Sequence, residues 1–191
     1  MCAKIINREW ENYSLLDVGC RNMELKPLLN GFRHYHGIDL FEGEGVTCHD
    51  LERPIPFENE SFEVVVALDV VEHVENAHQL VSELVRVASG AVIISLPNMY
   101  YWRFRMKMLF GKMIGGKYFF SPIPVKDRHR WLPSYDSAVD FVIKNTAGCL
   151  VEIIPIIADR NKFKLLRIME SIGAKMAPNF FNYGIMFIVK K

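Results

Sequence analysis

Short apolar segments alternate with helix-like segments along the first half of the chain. The apolar segments are 14–18, 35–40, 46–51, 62–71 and 90–95. Runs of this length between turn residues are typical of buried strands, and the β-branched run at 62–71 is typical of a strand covered on both faces. Because strands that alternate with helices form βαβ units, the pattern predicts an α/β fold with a mainly parallel sheet.

Helical spacing appears twice between these strands. A short helix is indicated by Leu25, Leu28 and Leu29 and ends at Asn30-Gly31. A longer helix begins after Asn76, which can cap it, and its apolar stripe consists of Leu80, Val81, Leu84, Val85 and Ala88. A further short helix or arm is expected within residues 1–13.

The same alternation returns in the last third of the chain. We expect helices at 136–147 and 161–172 and strands at 149–158 and 183–189. Asn161 is the expected cap of the second of these helices, and Gly173 is its expected end.

The strand at 14–18 runs directly into a glycine turn, and this is the geometry of a nucleotide site. Gly19 lets the backbone approach a ligand closely, and Asp17 stands two residues before it. The next strand closes on Asp39, 22 positions after Asp17. Because a carboxylate at this spacing can accept both hydroxyl groups of a ribose, the two strands predict an adenosine site.

A glycine or a polar residue lies at or just after the end of each of the five predicted strands. They are Gly19, Asp39, Asp50, Asp69 and Asn98. Since parallel strands end at one edge of a sheet, we expect all five to converge on a crevice there.

The glycine turn does not fit a dinucleotide. A nicotinamide or flavin dinucleotide requires G-x-G-x-x-G, whereas this turn reads Gly19-Cys-Arg21-Asn-Met23-Glu24 and places an acid beside the pyrophosphate position. S-adenosylmethionine has a short zwitterionic methionine end, so a single glycine suffices for it.

Four successive segments resemble the motifs of class I S-adenosylmethionine-dependent methyltransferases. The segments are Leu15–Cys20, Gly37–Leu40, Asp50–Val66 and Val70–Val74. The resemblance implies a Rossmann-like fold over residues 1–191, with a seven-stranded, mostly parallel sheet, an antiparallel last strand and helices on both faces. It departs from the family at Arg21 and Met23, where glycines are usual.

The resemblance also implies roles for the residues around the crevice. Those expected to hold the methionine end are Asp17, Gly19, Cys20 and Arg21. Asp39 and Leu40 are expected at the ribose, Asp50 and Leu51 at the adenine, and Leu68 and His73 on the crevice floor. By itself, Asp50 is more typical of a turn residue or a helix N-cap.

Residues 99–131 interrupt the alternation and predict an insertion. An amphipathic basic helix is indicated at 99–113, followed by an aromatic loop that includes Phe119 and Phe120, then Pro122, Pro124, Lys126 and His129. The segment Ser95–Arg105, with Gly111-Lys-Met113 and His129, resembles the MetW family, which has no single substrate class.

The helix at 99–113 has three interpretations. It can form a lid that excludes water from the reaction, a surface that contacts a membrane through Trp102, Phe104 and Met106, or plain cover for the sheet. Acceptor choice resides in this insertion. The expected acceptor is a small molecule, or one linked to a lipid or glycan.

His73 and His129 are the candidate catalytic bases. Methyl transfer requires alignment of acceptor, carbon and sulfur, with a base only for some acceptors, and imidazole titrates near neutrality. Asp69-x-x-Glu72-His73 with His129 also resembles the metal-binding arrangement of some ubiquinone-pathway and small-RNA methyltransferases. Because Glu-His-Val occurs here in metal-free relatives too, we expect no metal.

The composition limits the number of domains and the possible partners of the protein. The 191 residues, half of them hydrophobic, suit one domain, and a net charge of +1 gives no overall field to attract nucleic acid. No apolar run approaches the roughly 18 residues that span a bilayer. Without paired cysteine spacing or a recognisable leader, we expect reduced thiols and a cytoplasmic location. A non-catalytic partner or regulator of the same fold is the alternative, and the oligomeric state is left open.

Overall fold

A seven-stranded sheet forms the centre of the computed structural model, which describes residues 1–118, 122–123, 127–158 and 164–191. The strands are β1 (Tyr13–Val18), β2 (Phe32–Asp39), β3 (Val46–Cys48), β4 (Phe62–Leu68), β5 (Ala88–Pro97), β6 (Leu150–Ile156) and β7 (Gly184–Lys190). Their order across the sheet is β3-β2-β1-β4-β5-β7-β6.

All neighbouring strands from β3 to β5 pair in parallel, whereas β7 pairs antiparallel with both β5 and β6. The strand β7 starts at the edge where the parallel strands end. There the Tyr183 N–H donates to the Ile156 carbonyl at 2.8 Å, and the Asn98 N–H donates to the Tyr183 carbonyl at 2.9 Å. The predicted α/β fold class is therefore confirmed, including the antiparallel last strand.

Helices cover both faces of the sheet. They are α1 (Cys2–Glu9), α2 (Ala77–Val87), α3 (Trp102–Leu109), α4 (Tyr135–Asn145), α5 (Lys164–Met176) and α6 (Pro178–Phe181). One apolar core includes Leu80, Leu84 and Val142 from α2 and α4, and a second includes Ile5 and Ile6 from α1. Apolar side chains on both faces of the central strands explain why these strands are almost wholly apolar.

Two helix starts follow from capping chemistry. The Asn76 side chain accepts a hydrogen bond from the Gln79 N–H at 3.2 Å, as predicted for α2. Ser134 and Ser137 form a reciprocal capping box at the start of α4.

Several predicted boundaries are wrong. The strand predicted at 62–71 ends at Leu68, because Asp69 takes a left-handed backbone conformation with φ 52°. The short helix predicted around Leu25 is a 3₁₀ turn, Lys26–Leu28. Pro27 is tolerated only in a first turn, and Leu29 already has an extended backbone conformation.

The glycine expected to end α5 does not end it. The helix continues through Gly173 to Met176. A Cβ at Gly173 would lie 2.5 Å from Cδ2 of Phe181, so glycine serves here to let α6 pack against α5. The predicted cap, Asn161, lies outside the described residues.

The segment between β5 and α4 carries α3, which is shorter than the predicted helix at 99–113. Its first turn is anchored to α5: the Tyr101 hydroxyl and Trp102 Nε1 donate to the buried Glu170 carboxylate at 2.5 and 2.9 Å. Its far end is exposed, including Met106 and Leu109. Phe119, Phe120, Pro124 and Lys126 lie outside the described residues. Among the described helices, none has the length and apolarity needed to cross a membrane.

Candidate active site

Two cavities open at the carboxyl edge of the parallel strands. The smaller has a volume of about 520 Å³ and the larger about 900 Å³. They share four lining residues, Gly19, Arg21, Asp69 and His73. The edge therefore holds one divided site, with its parts meeting beside the glycine turn.

The glycine turn leaves no room for a side chain at its first position. Gly19 has φ +72°, and a Cβ there would lie 2.4 Å from Cγ2 of Val70. Arg21 and Met23 also adopt positive φ angles, 47° and 52°. The residues that depart from the methyltransferase pattern thus take the backbone conformation that glycine would take.

The N–H groups of this turn are already engaged. Those of Gly19 and Cys20 donate to the Ile38 carbonyl at 2.8 and 3.2 Å, and that of Arg21 donates to Asp39 Oδ2 at 2.8 Å. A pyrophosphate is normally bound by free N–H groups at such a turn. The turn therefore does not fit a dinucleotide, in agreement with the missing glycines.

Asp39 lies at the end of β2 in the wall of the smaller cavity. It is 6% exposed, Oδ2 accepts from Arg21, and Oδ1 accepts from the Phe41 N–H at 3.0 Å. Each carboxylate oxygen can accept a second hydrogen bond, so two acceptor positions remain for a diol. Leu40 lines the same cavity but is exposed.

Asp50 and Leu51 also line the smaller cavity. Asp50 Oδ1 accepts from the Glu52 N–H at 3.1 Å, so this residue shapes a turn as well. Both interpretations of Asp50 are therefore compatible with its position.

Asp17 lies in the wall of the larger cavity with Cys20 and Leu68. It is 5% exposed and accepts a hydrogen bond from the Tyr35 hydroxyl, and burial raises its pKa to about 6. Burial also raises the pKa of the Cys20 thiol to about 12, which fits a small lining residue and disfavours a nucleophile.

Asn98 does not line either cavity, although it follows β5. Its side-chain amide donates to the carbonyls of Asn179 and Asn182 at 3.0 and 2.8 Å. The amide connects the end of β5 to α6, so its expected place in the crevice is wrong.

Residues 127–131 form a strap across the open edge of the site. The Arg130 N–H donates to the Glu72 carbonyl at 2.9 Å, and Trp131 Nε1 donates to the Val74 carbonyl at 2.8 Å. Asp127 lies 3.2 Å from Arg21 Nη2, 2.9 Å from Lys117 Nζ and 3.1 Å from His73 Nδ1. This strap places His129 beside His73, with ring centroids 4.3 Å apart.

Sequence reasoning missed Asp127, Lys117 and the role of Tyr35. Asp127 lies two residues before the candidate base His129 in the sequence, and this proximity was the one feature that could have indicated a role for it. Its three partners come from distant parts of the chain, and nothing in the residue pattern of 99–131 predicts how the segment folds back.

The surroundings of the two histidines favour the neutral imidazole. Burial lowers the pKa of His73, and burial together with His73 lowers the pKa of His129 to about 4. The Tyr118 hydroxyl lies 2.8 Å from His129 Nδ1. Beside them, burial and Asp69 raise the pKa of Glu72 to about 8.

The residues present fit an adenosine-containing sulfonium compound. The smaller cavity offers a carboxylate at the end of β2 and apolar contact from Leu51, and the larger offers the carboxylate of Asp17. The Gly19 backbone lies between the two cavities, where a side chain would fill the space.

Solved methyltransferase structures share this fold. A Thermotoga maritima S-adenosylmethionine-dependent methyltransferase superposes with a TM-score of 0.61 at 12% identity, covering 99% of this chain and 87% of that one. An Archaeoglobus fulgidus relative gives 0.60 at 16%, covering 98% and 90%. The small RNA methyltransferase HEN1 gives 0.68 at 14%, covering all of this chain and 24% of that one.

The strand order and the structural neighbours define a class I methyltransferase fold. The sequence model of the family described as methionine biosynthesis protein MetW matches residues 3–122, and the chain belongs to that family. A comparison with curated proteins returns no match.

Proposed function

We propose that this protein transfers a methyl group from S-adenosylmethionine to a small acceptor, free or linked to a lipid or glycan, within a single domain spanning 1–191. The observation that carries the proposal is the divided site: two cavities meet at Gly19, Arg21, Asp69 and His73. When bound, the cofactor supplies a methyl carbon activated by a sulfonium.

The smaller cavity would hold the adenosine. Asp39 accepts the ribose hydroxyl groups, with Leu40 alongside, and its low exposure strengthens these charge-assisted hydrogen bonds. Asp50 and Leu51 receive the adenine. Asp39 is held in place by the N–H groups of Arg21 and Phe41, so the acceptor positions are set before a ligand arrives.

The methionine end would enter the larger cavity. Asp17 places a carboxylate there for the ammonium group, Gly19 and Cys20 provide close backbone approach, and Arg21 is within reach of the carboxylate. Leu68 and His73 form the floor beneath the reacting carbon.

The acceptor would occupy the rest of the larger cavity, under residues 99–118 and 127–131 acting as a lid. Tyr101, Phe104 and Tyr118 line this space, and the strap at 127–131 restricts access of water. His73 and His129 are the candidate bases. Because both are neutral but weakly basic, they suit an acceptor that loses its proton readily as the methyl group arrives.

The four cysteines are free, which fits the expected reducing, cytoplasmic environment. The net charge of +1 continues to disfavour a nucleic-acid acceptor.

Titration with S-adenosylhomocysteine tests the cofactor assignment. The parent chain is expected to bind and to gain thermal stability by mass action. Asp39→Asn keeps an acceptor for Arg21 but removes the charge, and it should weaken binding by about 2–3 kcal/mol, as measured by calorimetry. The matched control is Asp140→Asn, which alters an exposed residue on α4 and should bind like the parent.

Two other outcomes separate the alternatives. A chain that binds no S-adenosylhomocysteine would support the non-catalytic partner. Stabilisation by NAD(P) instead would support a reductase. Catalysis itself is tested by mass spectrometry of candidate acceptors incubated with the chain and S-adenosylmethionine, where one added methyl group is the expected product.

A further inference from the structure

Glu72 is a buried carboxylate without a hydrogen-bond partner. It is 1% exposed, and neither of its carboxylate oxygens has a partner among the described residues. The residue sits in the 3₁₀ turn Val71–His73 and lines the larger cavity. Burying an ionised carboxylate costs several kcal/mol unless a cation or strong donors compensate. The position therefore requires a proton or a bound cation.

Two imidazoles face this carboxylate. One ligand atom each from Glu72, His73 and His129 forms a group in which all lie within 4.8 Å of one another. His73 Nε2 lies 4.0 Å from Glu72 Oε1. The group combines two nitrogen ligands and one oxygen ligand from two separate parts of the chain.

Both imidazoles have a partner on Nδ1. His73 Nδ1 lies 3.1 Å from the Arg128 carbonyl and 3.1 Å from Asp127 Oδ1, and both acceptors require it to carry the proton. His129 Nδ1 lies 2.8 Å from the Tyr118 hydroxyl oxygen. A metal-bound histidine typically donates its second N–H to an oxygen in this way, which fixes the ring and leaves the other nitrogen free.

We propose that Glu72, His73 and His129 bind one divalent transition-metal ion at the wall of the larger cavity. Two imidazoles and one carboxylate suit Zn²⁺, Mn²⁺, Fe²⁺ or Co²⁺ better than Ca²⁺. Metal–ligand distances of about 2.1 Å require the ligand atoms to approach one another by about 1 Å, which side-chain rotation can supply. This proposal replaces the expectation of a metal-free site and does not depend on methyl transfer. While an ion is bound, His73 and His129 are ligands and neither can act as a base.

Three protein ligands would leave coordination positions open toward the cavity. An oxygen or nitrogen atom of a molecule in that cavity could occupy one of them, with water in the others. The ion could therefore coordinate and polarise a molecule bound in the larger cavity.

Calorimetric titration of the full, chelator-treated chain tests the site. Zn²⁺ and Mn²⁺ are the probes, and Co²⁺ provides an absorption spectrum that reports the ligand set. We expect one ion per chain, with at least a tenfold loss of affinity in Glu72→Gln and in His129→Asn. Circular dichroism before each titration establishes that both variants are folded.

A control variant tests whether histidines outside the proposed site bind the metal. His34 and His36 on β2 have ring centroids 6.0 Å apart and could bind zinc adventitiously. His34→Asn should bind metal like the parent. The proposal is overturned if the parent binds none of the three ions, if Glu72→Gln and His129→Asn both bind like the parent, or if only His34→Asn loses the ion.

Discussion

Arg21 and Met23 hold the glycine turn in its shape without being glycines. Both have positive φ angles, which cost a non-glycine residue on the order of 1 kcal/mol each. The Arg21 N–H donates to Asp39, and the Met23 N–H donates to the Cys20 carbonyl at 2.7 Å. These hydrogen bonds offset the strain, so a departure from the family's residue pattern leaves its geometry in place.

Substitution of Arg21 tests this explanation. Arg21→Gly should raise the free energy of unfolding by about 0.5–1 kcal/mol, because glycine relieves the strain, whereas Arg21→Val should lower it by more than that. Urea denaturation measures both. The ion pair with Asp127 is lost in both variants, so their difference isolates the backbone. Equal stabilities for glycine and valine would contradict the account.

Asp17 makes stability depend on pH because burial raises its pKa from 3.8 to about 6. A raised pKa means that the folded chain binds the proton more tightly than the unfolded chain. Between about pH 4 and 6 the folded state therefore holds more protons, and stability rises as the pH falls through this window. Above about pH 6 the ionised carboxylate destabilises the folded state.

Asp17→Asn should remove this component. As the pH falls from 7 to 4, the parent should gain about 2–3 kcal/mol of stability relative to the variant. Urea denaturation of both proteins at a series of pH values measures the difference, which cancels the contributions of other groups. A difference that stays constant with pH would show that Asp17 is not a buried, raised-pKa carboxylate.

At the residue scale, the sequence predicts the positions of side chains that lie at the ends of strands. Asp17, Asp39 and Asp50 line the two cavities because a residue at the carboxyl end of a parallel strand has its position set by the sheet. Tyr35 and Asp127 could not be assigned, since their contacts with Asp17 and Arg21 depend on tertiary packing that no local pattern encodes.

At the element scale, the insertion could be recognised but its course could not be derived. No hydrophobic periodicity in its sequence predicts that residues 127–131 contact the turn after β4. The structure docks this strap through backbone groups, with the Glu72 carbonyl accepting from the Arg130 N–H. Backbone hydrogen bonds between loops do not depend on residue type, so the position of the strap could not be predicted. The insertion itself could be predicted, because it interrupts the βα alternation.

The membrane interpretation does not hold for Trp102 and Phe104, because Trp102 donates to Glu170 and Phe104 lines the larger cavity. The exposed far end of α3 gives the interpretation a testable form. Met108, Leu109 and Phe110 are 62%, 75% and 68% exposed, with Lys107 and Lys112 nearby. Apolar side chains beside basic ones favour adsorption to an anionic bilayer. We expect the chain to float with vesicles containing phosphatidylserine but not with vesicles of phosphatidylcholine alone.

A double variant that replaces two apolar side chains of the same surface with acidic ones shows whether this surface makes the contact. The double substitution Leu109→Glu with Phe110→Glu should abolish flotation and leave the melting temperature within a few degrees of the parent, because neither side chain is buried. Flotation that survives this change would assign membrane contact to another surface, and absence of flotation in the parent would remove the interpretation.

At the scale of the whole molecule, the parallel pairing of the first five strands followed from the alternation of apolar runs with helices. Their order, β3-β2-β1-β4-β5, was not predicted, because the alternation does not specify on which side of β1 each later strand lies. The antiparallel β7 was expected from the family resemblance, because residue types alone do not specify its direction. The predicted end of a strand was wrong where a single residue, such as Asp69, leaves the extended conformation.

The most direct test of the central claim is a crystal structure of the chain with S-adenosylhomocysteine. The account predicts the adenosine in the smaller cavity with its ribose on Asp39, and the sulfur where the cavities meet, beside Gly19 and His73. A nucleoside bound elsewhere, or ribose hydroxyl groups without contact to Asp39, would contradict it.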